Sequence, residues 1–338
     1  MPMTEFIRSR APLRIGFAGG GTDVDPYASK KGGAVLNTTI DMYAYCTVVP
    51  NNTSNISIKS LDYGEYNLEL GQGPLPYDGN MDLVKAVANH FEITEGFDLF
   101  VHSDAPPGSG LGGSSTVMVS IIAAVCEWLD KEMTSYEMAE LAYVLEREKI
   151  GLGGGKQDQY AAVFGGFNFM EFSSSGARVS PLRISSGTKY ELEYCSLLCY
   201  TGRPRESAGI IGSQVENFRR GSNEAALDAS KKLSKDMRDA LSRGNIRETA
   251  ELLDLSWQYK KQFSDKVTNE EIDCLYTAAM EKGAVGGKIS GAGGGGFMYF
   301  ICEYDKKHLV AKEMRKRGAT VASFVFEPRG VRTWRYEG

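Results

Sequence analysis

Short apolar runs and longer stretches with helical spacing alternate along the chain. Leu13 to Ala18 and Tyr43 to Val49 are compact runs rich in β-branched and aromatic residues, the pattern of strands. Ile56–Lys59 and Tyr66–Leu70 flank Leu61-Asp62-Tyr63-Gly64 and predict an antiparallel pair. Met81 to Phe91 has helical spacing, and Phe97 to His102 predicts a strand running into a glycine-rich loop. From Thr116 to Lys131 the sequence TVMVSIIAAVCEWLDK has no Gly or Pro and is apolar on most sides, which predicts a buried helix. Ser114 or Ser115 is its natural N-cap. Thr134-Ser135-Tyr136-Glu137 is a capping box for the next helix, closed by Gly151.

A strand is expected over Phe167–Phe172, then a Ser/Gly-rich region from 173 to 188 that marks a boundary. The expected division is 1–185 and 186–338. Beyond it, Tyr194–Tyr200 predicts a strand, and Ser207 to about Gly283 is largely helical with breaks at Gly221 and Gly244. A strand over Phe297–Cys302, a helix over Asp305–Arg317 and a last strand over Thr320–Phe326 complete the expectation.

Composition narrows the function. The 338 residues leave room for two domains. With 38 basic and 43 acidic residues the net charge is −5, which argues against bulk attraction to nucleic acid or an anionic membrane. A local basic pocket remains compatible with it. No apolar run is long enough to span a bilayer, and the opening MPMTEFIRSRAPLRIGF lacks the apolar core of a signal peptide. The six cysteines form no C-x-x-C pair and are expected as free thiols in a reducing cytoplasm. Three scattered histidines offer no zinc spacing, and no G-x-S-x-G elbow accompanies them.

The 39 glycines are clustered, and each cluster poses a chemical question. The loop Pro107-Gly108-Ser109-Gly110-Leu111-Gly112-Gly113-Ser114-Ser115 follows a strand and opens a helix. Its backbone N–H groups and the helix N-terminus suit a phosphate, and its hydroxyls suit a Mg²⁺ bridging phosphates. The plain alternative is a tight turn with an ordinary N-cap. The Rossmann pattern fails, because no acidic residue ends a second strand about twenty residues on, and no Gly-Lys-Ser/Thr makes a Walker loop. In GLGGGKQDQ, Asp158 is a candidate base or orienting anion for a hydroxyl, or a capping aspartate. In KISGAGGGG a strand follows the glycines, so close backbone approach or packing is expected there. In APLRIGFAGGGTD a strand with Arg14 precedes a glycine turn that delivers Thr22 and Asp23.

Taken in order, APLRIGFAGGGTD, PPGSGLGGSST and KISGAGGGG resemble the three motifs of the GHMP kinases, over nearly the whole chain. The resemblance implies an α+β fold, with a ribosomal-S5-like N-terminal domain and a ferredoxin-like C-terminal domain around a cleft for ATP and substrate. It implies Asp158 as the catalytic carboxylate with Arg14 beside it. ATP phosphates would lie on Pro107 to Ser115 and under Gly293 and Gly294. Mg²⁺ would be held by Ser114 and by Glu146, or by Glu148 if the register slips. Gly113 departs from the family pattern, where serine is usual.

FAGGGTDVDPY, AVLNTTID, GLGGGKQDQYAAVFGG and YTGRPRESAGII further resemble the subgroup acting on D-glycero-D-manno-heptose 7-phosphate, which phosphorylates the anomeric hydroxyl to the 1,7-bisphosphate. Thr22, Asp23 and Gly291 would then meet the sugar, and Arg203 and Arg205 its phosphate. L-fucose and galactose 1-kinases, a kinase of a non-sugar alcohol, and a non-catalytic sensor of ATP and sugar are the alternatives. A homodimer is a candidate assembly.

Overall fold

The computed structural model describes residues 4–71, 73–204 and 207–338. The chain begins with β1 (Glu5–Ala18), α1 (Tyr27–Lys31), β2 (Gly33–Pro50), β3 (Asn55–Ser60), β4 (Gly64–Glu69), α2 (Asp82–His90) and β5 (Phe97–Ser103). Next come α3 (Gly113–Trp128), α4 (Ser135–Tyr143), a π-helical turn (Val144–Lys149), α5 (Gln157–Phe164), β6 (Phe167–Ser173) and β7 (Gly176–Pro181). Then follow α6 (Ser186–Cys195), β8 (Ser196–Tyr200), α7 (Ser207–Arg219), α8 (Glu224–Ser242), α9 (Ile246–Lys260), α10 (Glu270–Glu281) and β9 (Ala284–Ile289). The chain closes with β10 (Phe297–Cys302), α11 (Lys307–Lys316), β11 (Thr320–Ala322) and β12 (Arg332–Glu337).

Two sheets result. The first runs β12-β1-β2-β5-β3-β4, with β6 joined to β2 and β7 to β6. The length of β2 makes this branch: Ala44–Pro50 pairs with β5, while Gly33–Thr38 pairs with β6. Helix α3 packs on β1 and β2. Its residues Met118, Val119, Ile121, Ile122 and Val125 are all buried, which is why its sequence has so little polar face. The second sheet has the order β11-β8-β10-β9. Helices lie between β8 and β9 and between β10 and β11, giving the ferredoxin-like order that the family resemblance implies. A third apolar cluster, with Leu13, Ile15 and Phe17 of β1 against Leu198, Phe297 and Tyr299, joins the two sheets.

Several elements depart from expectation for identifiable reasons. Helix α3 starts at Gly113 on a left-handed Gly112 (φ 80°), with no side-chain cap, because both serines are drawn elsewhere. The segment expected as a strand from Tyr194 is helix to Cys195, capped by Ser185, and only Ser196–Tyr200 is strand. The Ser/Gly-rich region forms the turn of the β6–β7 hairpin and then enters α6. The final strand ends at Ala322, and Phe326 makes an isolated bridge to Ile40. Strand β12 was not foreseen and returns to pair with β1, so the last residues complete the first sheet. All six cysteines are free. No helix among the described residues is long and apolar enough to cross a membrane.

Strand β9 was hidden by Gly286 and Gly287. A Cβ on Gly286 would lie 1.9 Å from the Ala250 carbonyl oxygen, so glycine here lets α9 lie against the sheet. Gly286→Ala is expected to lower the unfolding free energy by about 2–3 kcal/mol, measured by the shift of the denaturant midpoint. An unchanged midpoint would contradict this packing.

Candidate functional site

A cavity of about 630 Å³ opens between the two sheets, walled by the glycine-rich loop, the turn after β1, the start of α5, α7 and the loop after β9. The loop after β5 places Gly108, Gly110 and Gly112 in the left-handed region, with φ of 72°, 84° and 80°. This conformation gathers successive backbone N–H groups on one side. The uncapped N-terminus of α3 continues that donor surface.

The hydroxyls of Ser114 and Ser115 donate to the two oxygens of Glu146 at 2.8 and 2.7 Å. Gln159 Nε2 donates to the same carboxylate at 2.7 Å, and the Arg147 guanidinium lies 3.3 Å from its other oxygen. The π-helical turn sets this up: Glu146 is fully buried in it and lines the cavity, whereas Glu148 is exposed. Between Glu146 and Glu148, the structure thus brings Glu146 to Ser114.

Arg14 is 4% exposed and stands at the centre. Its Nε and one terminal nitrogen donate to the two oxygens of Asp158 at 2.7 and 3.0 Å, a bidentate pair. Its other terminal nitrogen donates to the Gly110 carbonyl at 2.6 Å and to the Ser290 hydroxyl at 3.3 Å. The Arg14 backbone N–H donates to Leu111. One side chain therefore ties β1, the glycine loop, α5 and the loop after β9.

After Arg14, β1 bulges between Gly16 and Ala18 and turns through three glycines to Asp23. Asp23 is 2% exposed and accepts from the backbone N–H of Gly21 (2.9 Å) and Gln157 (3.1 Å) and from Gln157 Nε2 (3.2 Å). Burial raises its pKa, and the charge of Asp158 adds to that, against the N–H donors that lower it. Close packing is enforced at Gly155, where a Cβ would lie 2.0 Å from Asp23 Oδ2.

The sequence model of the GHMP kinases N terminal domain matches residues 81–166, and that of the GHMP kinases C terminal matches residues 237–320. The D-glycero-alpha-D-manno-heptose 7-phosphate kinase of Campylobacter jejuni is 41% identical over 97% of this chain and 99% of its own length. The chain is a GHMP kinase. It is a phosphotransferase with an alcohol group as acceptor, and GHMP kinases use ATP as phosphate donor. A crystal structure described as a D-glycero-D-manno-heptose 1-phosphate kinase from Bacteroides thetaiotaomicron superposes with a TM-score of 0.81 at 36% identity, covering 97% of this chain and 98% of that one. A bifunctional fucokinase/GDP-fucose pyrophosphorylase of Arabidopsis thaliana is 27% identical over 93% of this chain and 31% of its own length.

Not every expected residue of this kinase reaches the cavity. Pro107, Gly108, Ser109, Gly110, Gly112, Gly113, Ser114, Ser115, Arg14, Asp23, Glu146, Asp158 and Gly291 line it. Leu111 is buried in the core beneath the loop. Thr22 is fully buried, with its hydroxyl donating to Gly19 and accepting from the Ala34 N–H, so it braces the turn instead of facing a sugar. Gly293 packs on Val267, Gly294 lies against Ile210 and donates its N–H to the Val267 carbonyl, and Gly296 lies against Ser109 of the phosphate loop. Arg203 is exposed and pairs with Glu271 at 2.9 Å, outside the cavity wall. Arg205 lies outside the described residues.

Sequence reasoning missed Gln157, Gln159, Lys260 and Lys288. Lys288 is 3% exposed, lines the cavity and donates to the Phe17 carbonyl, the oxygen freed by the β1 bulge, at 3.1 Å. Burial, and then the charge of Arg14, pushes its ammonium down to about 7. An unfolded lysine keeps its proton to about 10.4. Unfolding therefore takes up a proton between these values, and stability contributed at this position rises with pH across them. Lys288→Met removes that slope. The melting-temperature difference, variant minus wild type, is expected to be more positive near pH 6.5 than near pH 9.5. Equal differences at the two pH values would contradict the depressed lysine.

Proposed function

We propose that the protein transfers the γ-phosphoryl group of ATP to the anomeric hydroxyl of D-glycero-D-manno-heptose 7-phosphate, giving the 1,7-bisphosphate. The observation that carries this reading is the bidentate Arg14–Asp158 pair, set on a cavity wall between the phosphate loop and the buried Asp23. The similarity to the heptose 7-phosphate kinase over nearly the full chain supports the substrate.

The phosphates of ATP rest on the N–H groups of Gly108 to Ser115. Ser114 and Glu146 offer Mg²⁺ only hard oxygen donors, and one carboxylate with phosphate oxygens is the usual Mg²⁺ set. The residues present fit that ion. When bound, it neutralises phosphate charge. Asp158, held by Arg14 with its side chain 20% exposed to the cavity, orients and accepts the proton of the sugar hydroxyl. The hydroxyl oxygen then bonds to the γ-phosphorus as the bond to the bridging oxygen of ADP breaks. Phosphoryl transfer needs positioning and charge neutralisation above all, which this set supplies. Asp23 holds ring hydroxyls. Arg203 is turned outward, and Lys260, which is 5% exposed, donates to the Gly291 carbonyl and lines the cavity, supplies a cation for the phosphate of the substrate. The reading places the protein in the cytoplasm, where ATP is available.

A coupled ADP-release assay over a sugar panel tests the reading. Heptose 7-phosphate, heptose 1-phosphate, L-fucose, D-galactose and mannose 6-phosphate are compared. Turnover is expected on heptose 7-phosphate, with kcat lowered about 10²–10⁴-fold in Asp158→Asn. Lys260→Met is expected to raise KM for the sugar phosphate and leave KM for ATP unchanged. Turnover on free fucose or galactose alone would overturn the substrate. Full activity of Asp158→Asn would overturn the mechanism.

A further inference from the structure

Gln157 sits in the first turn of α5, directly before Asp158. Its backbone N–H and its Nε2 both donate to Asp23, so its carboxamide lies against the buried carboxylate. Gly16 and Gly20 leave that carboxamide uncovered: a methyl group at either position would rest 3.6 Å from its Oε1 or 3.4 Å from its Nε2. All four residues line the cavity. No described protein group donates to Gln157 Oε1, and Nε2 spends one of its two hydrogens on Asp23.

Asp23 lacks a cationic partner among the described residues. The backbone N–H groups of Gly21, Gln157 and Asp23 itself and the Gln157 Nε2 face its carboxylate, and all of these donors are neutral. The wall therefore presents a carboxylate with no cation against it, beside an amide acceptor and an amide donor. Two adjacent ring hydroxyls offer the complementary set, since each can donate and accept. Asp23 lies close enough to Asp158 to feel its charge, and both line the cavity, so the hydroxyls held at Asp23 and Gln157 belong to ring carbons near the reacting one.

We propose that Gln157 is a specificity-determining residue: with Asp23 it clamps a vicinal diol of the sugar ring, taking the hydroxyl next to the one held by Asp23. This rests on the sugar-kinase reading above and adds the group that selects among sugars. A site built to hydrogen-bond a substrate hydroxyl discriminates strongly against the analogue that lacks it.

The test compares wild type, Gln157→Met and Gln157→Ala on heptose 7-phosphate and on its 2-deoxy and 3-deoxy analogues. Sugar binding is also measured by calorimetry, and folding by thermal melting. On the parent sugar, KM is expected to rise about tenfold or more in both variants, with KM for ATP unchanged. Wild type is expected to discriminate against at least one deoxy analogue, and both variants to lose that discrimination. If both variants fall by the same factor on all three sugars, Gln157 only braces Asp23 and the proposal is overturned. Equal use of all three sugars by wild type overturns it as well. If wild type turns over a different sugar from the panel, the heptose reading fails by itself, and the deoxy series of that sugar tests Gln157 by the same criterion.

Discussion

A guanidinium that is 4% exposed must find its partners inside the protein, and Arg14 finds them on three separate chain segments. Removing one side of such a buried pair leaves an uncompensated charge and costs about 3–5 kcal/mol. The position of Asp158 is thereby coupled to the glycine loop and to the loop after β9. Phosphoryl transfer depends on positioning of this kind, because the protein has little covalent work to do. The bidentate geometry fixes the plane of the carboxylate as well as its place.

The first turn of α5 spreads that order through the site. Gln157 bonds Asp23, Asp158 bonds Arg14, and Gln159 bonds Glu146. Successive helical residues point about 100° apart, so three neighbours address three different walls. The π-helical turn before them rotates Glu146 inward, and such turns are frequent at functional sites. The glycines of the third motif then serve packing: Gly296 lies against Ser109, and Phe297 donates to the Ser109 carbonyl, so the second sheet props the phosphate loop.

Much of the fold was legible in the sequence, because helical spacing marks α2, a long apolar run without Gly or Pro marks α3, and two short runs around a turn mark the β3–β4 hairpin. The capping box at Thr134 forms as expected. What escaped was structure whose signal is carried by distant partners. Strand β12 alternates weakly and exists because β1 offers it an edge. Strand β9 contains two glycines required by close packing, and helix α5 is too short to show a period. In the site, residues that ordered motifs deliver together, such as Arg14, Ser114, Asp23 and Asp158, were visible. Thr22 was misjudged because its hydroxyl satisfies local backbone groups, and Arg203 because a sequence does not show that Glu271 stands beside it. Lys288 was overlooked because only the β1 bulge makes its ammonium useful.

A crystal structure of the protein with heptose 7-phosphate, Mg²⁺ and a non-hydrolysable ATP analogue measures the central claim most directly. The account predicts the anomeric oxygen within hydrogen-bond reach of Asp158, with the Arg14 pair intact. It also predicts the γ-phosphate over the N–H groups of Gly108 to Gly112. A complex with the anomeric oxygen turned away from Asp158, or the nucleotide phosphates bound elsewhere on the cavity wall, would contradict it.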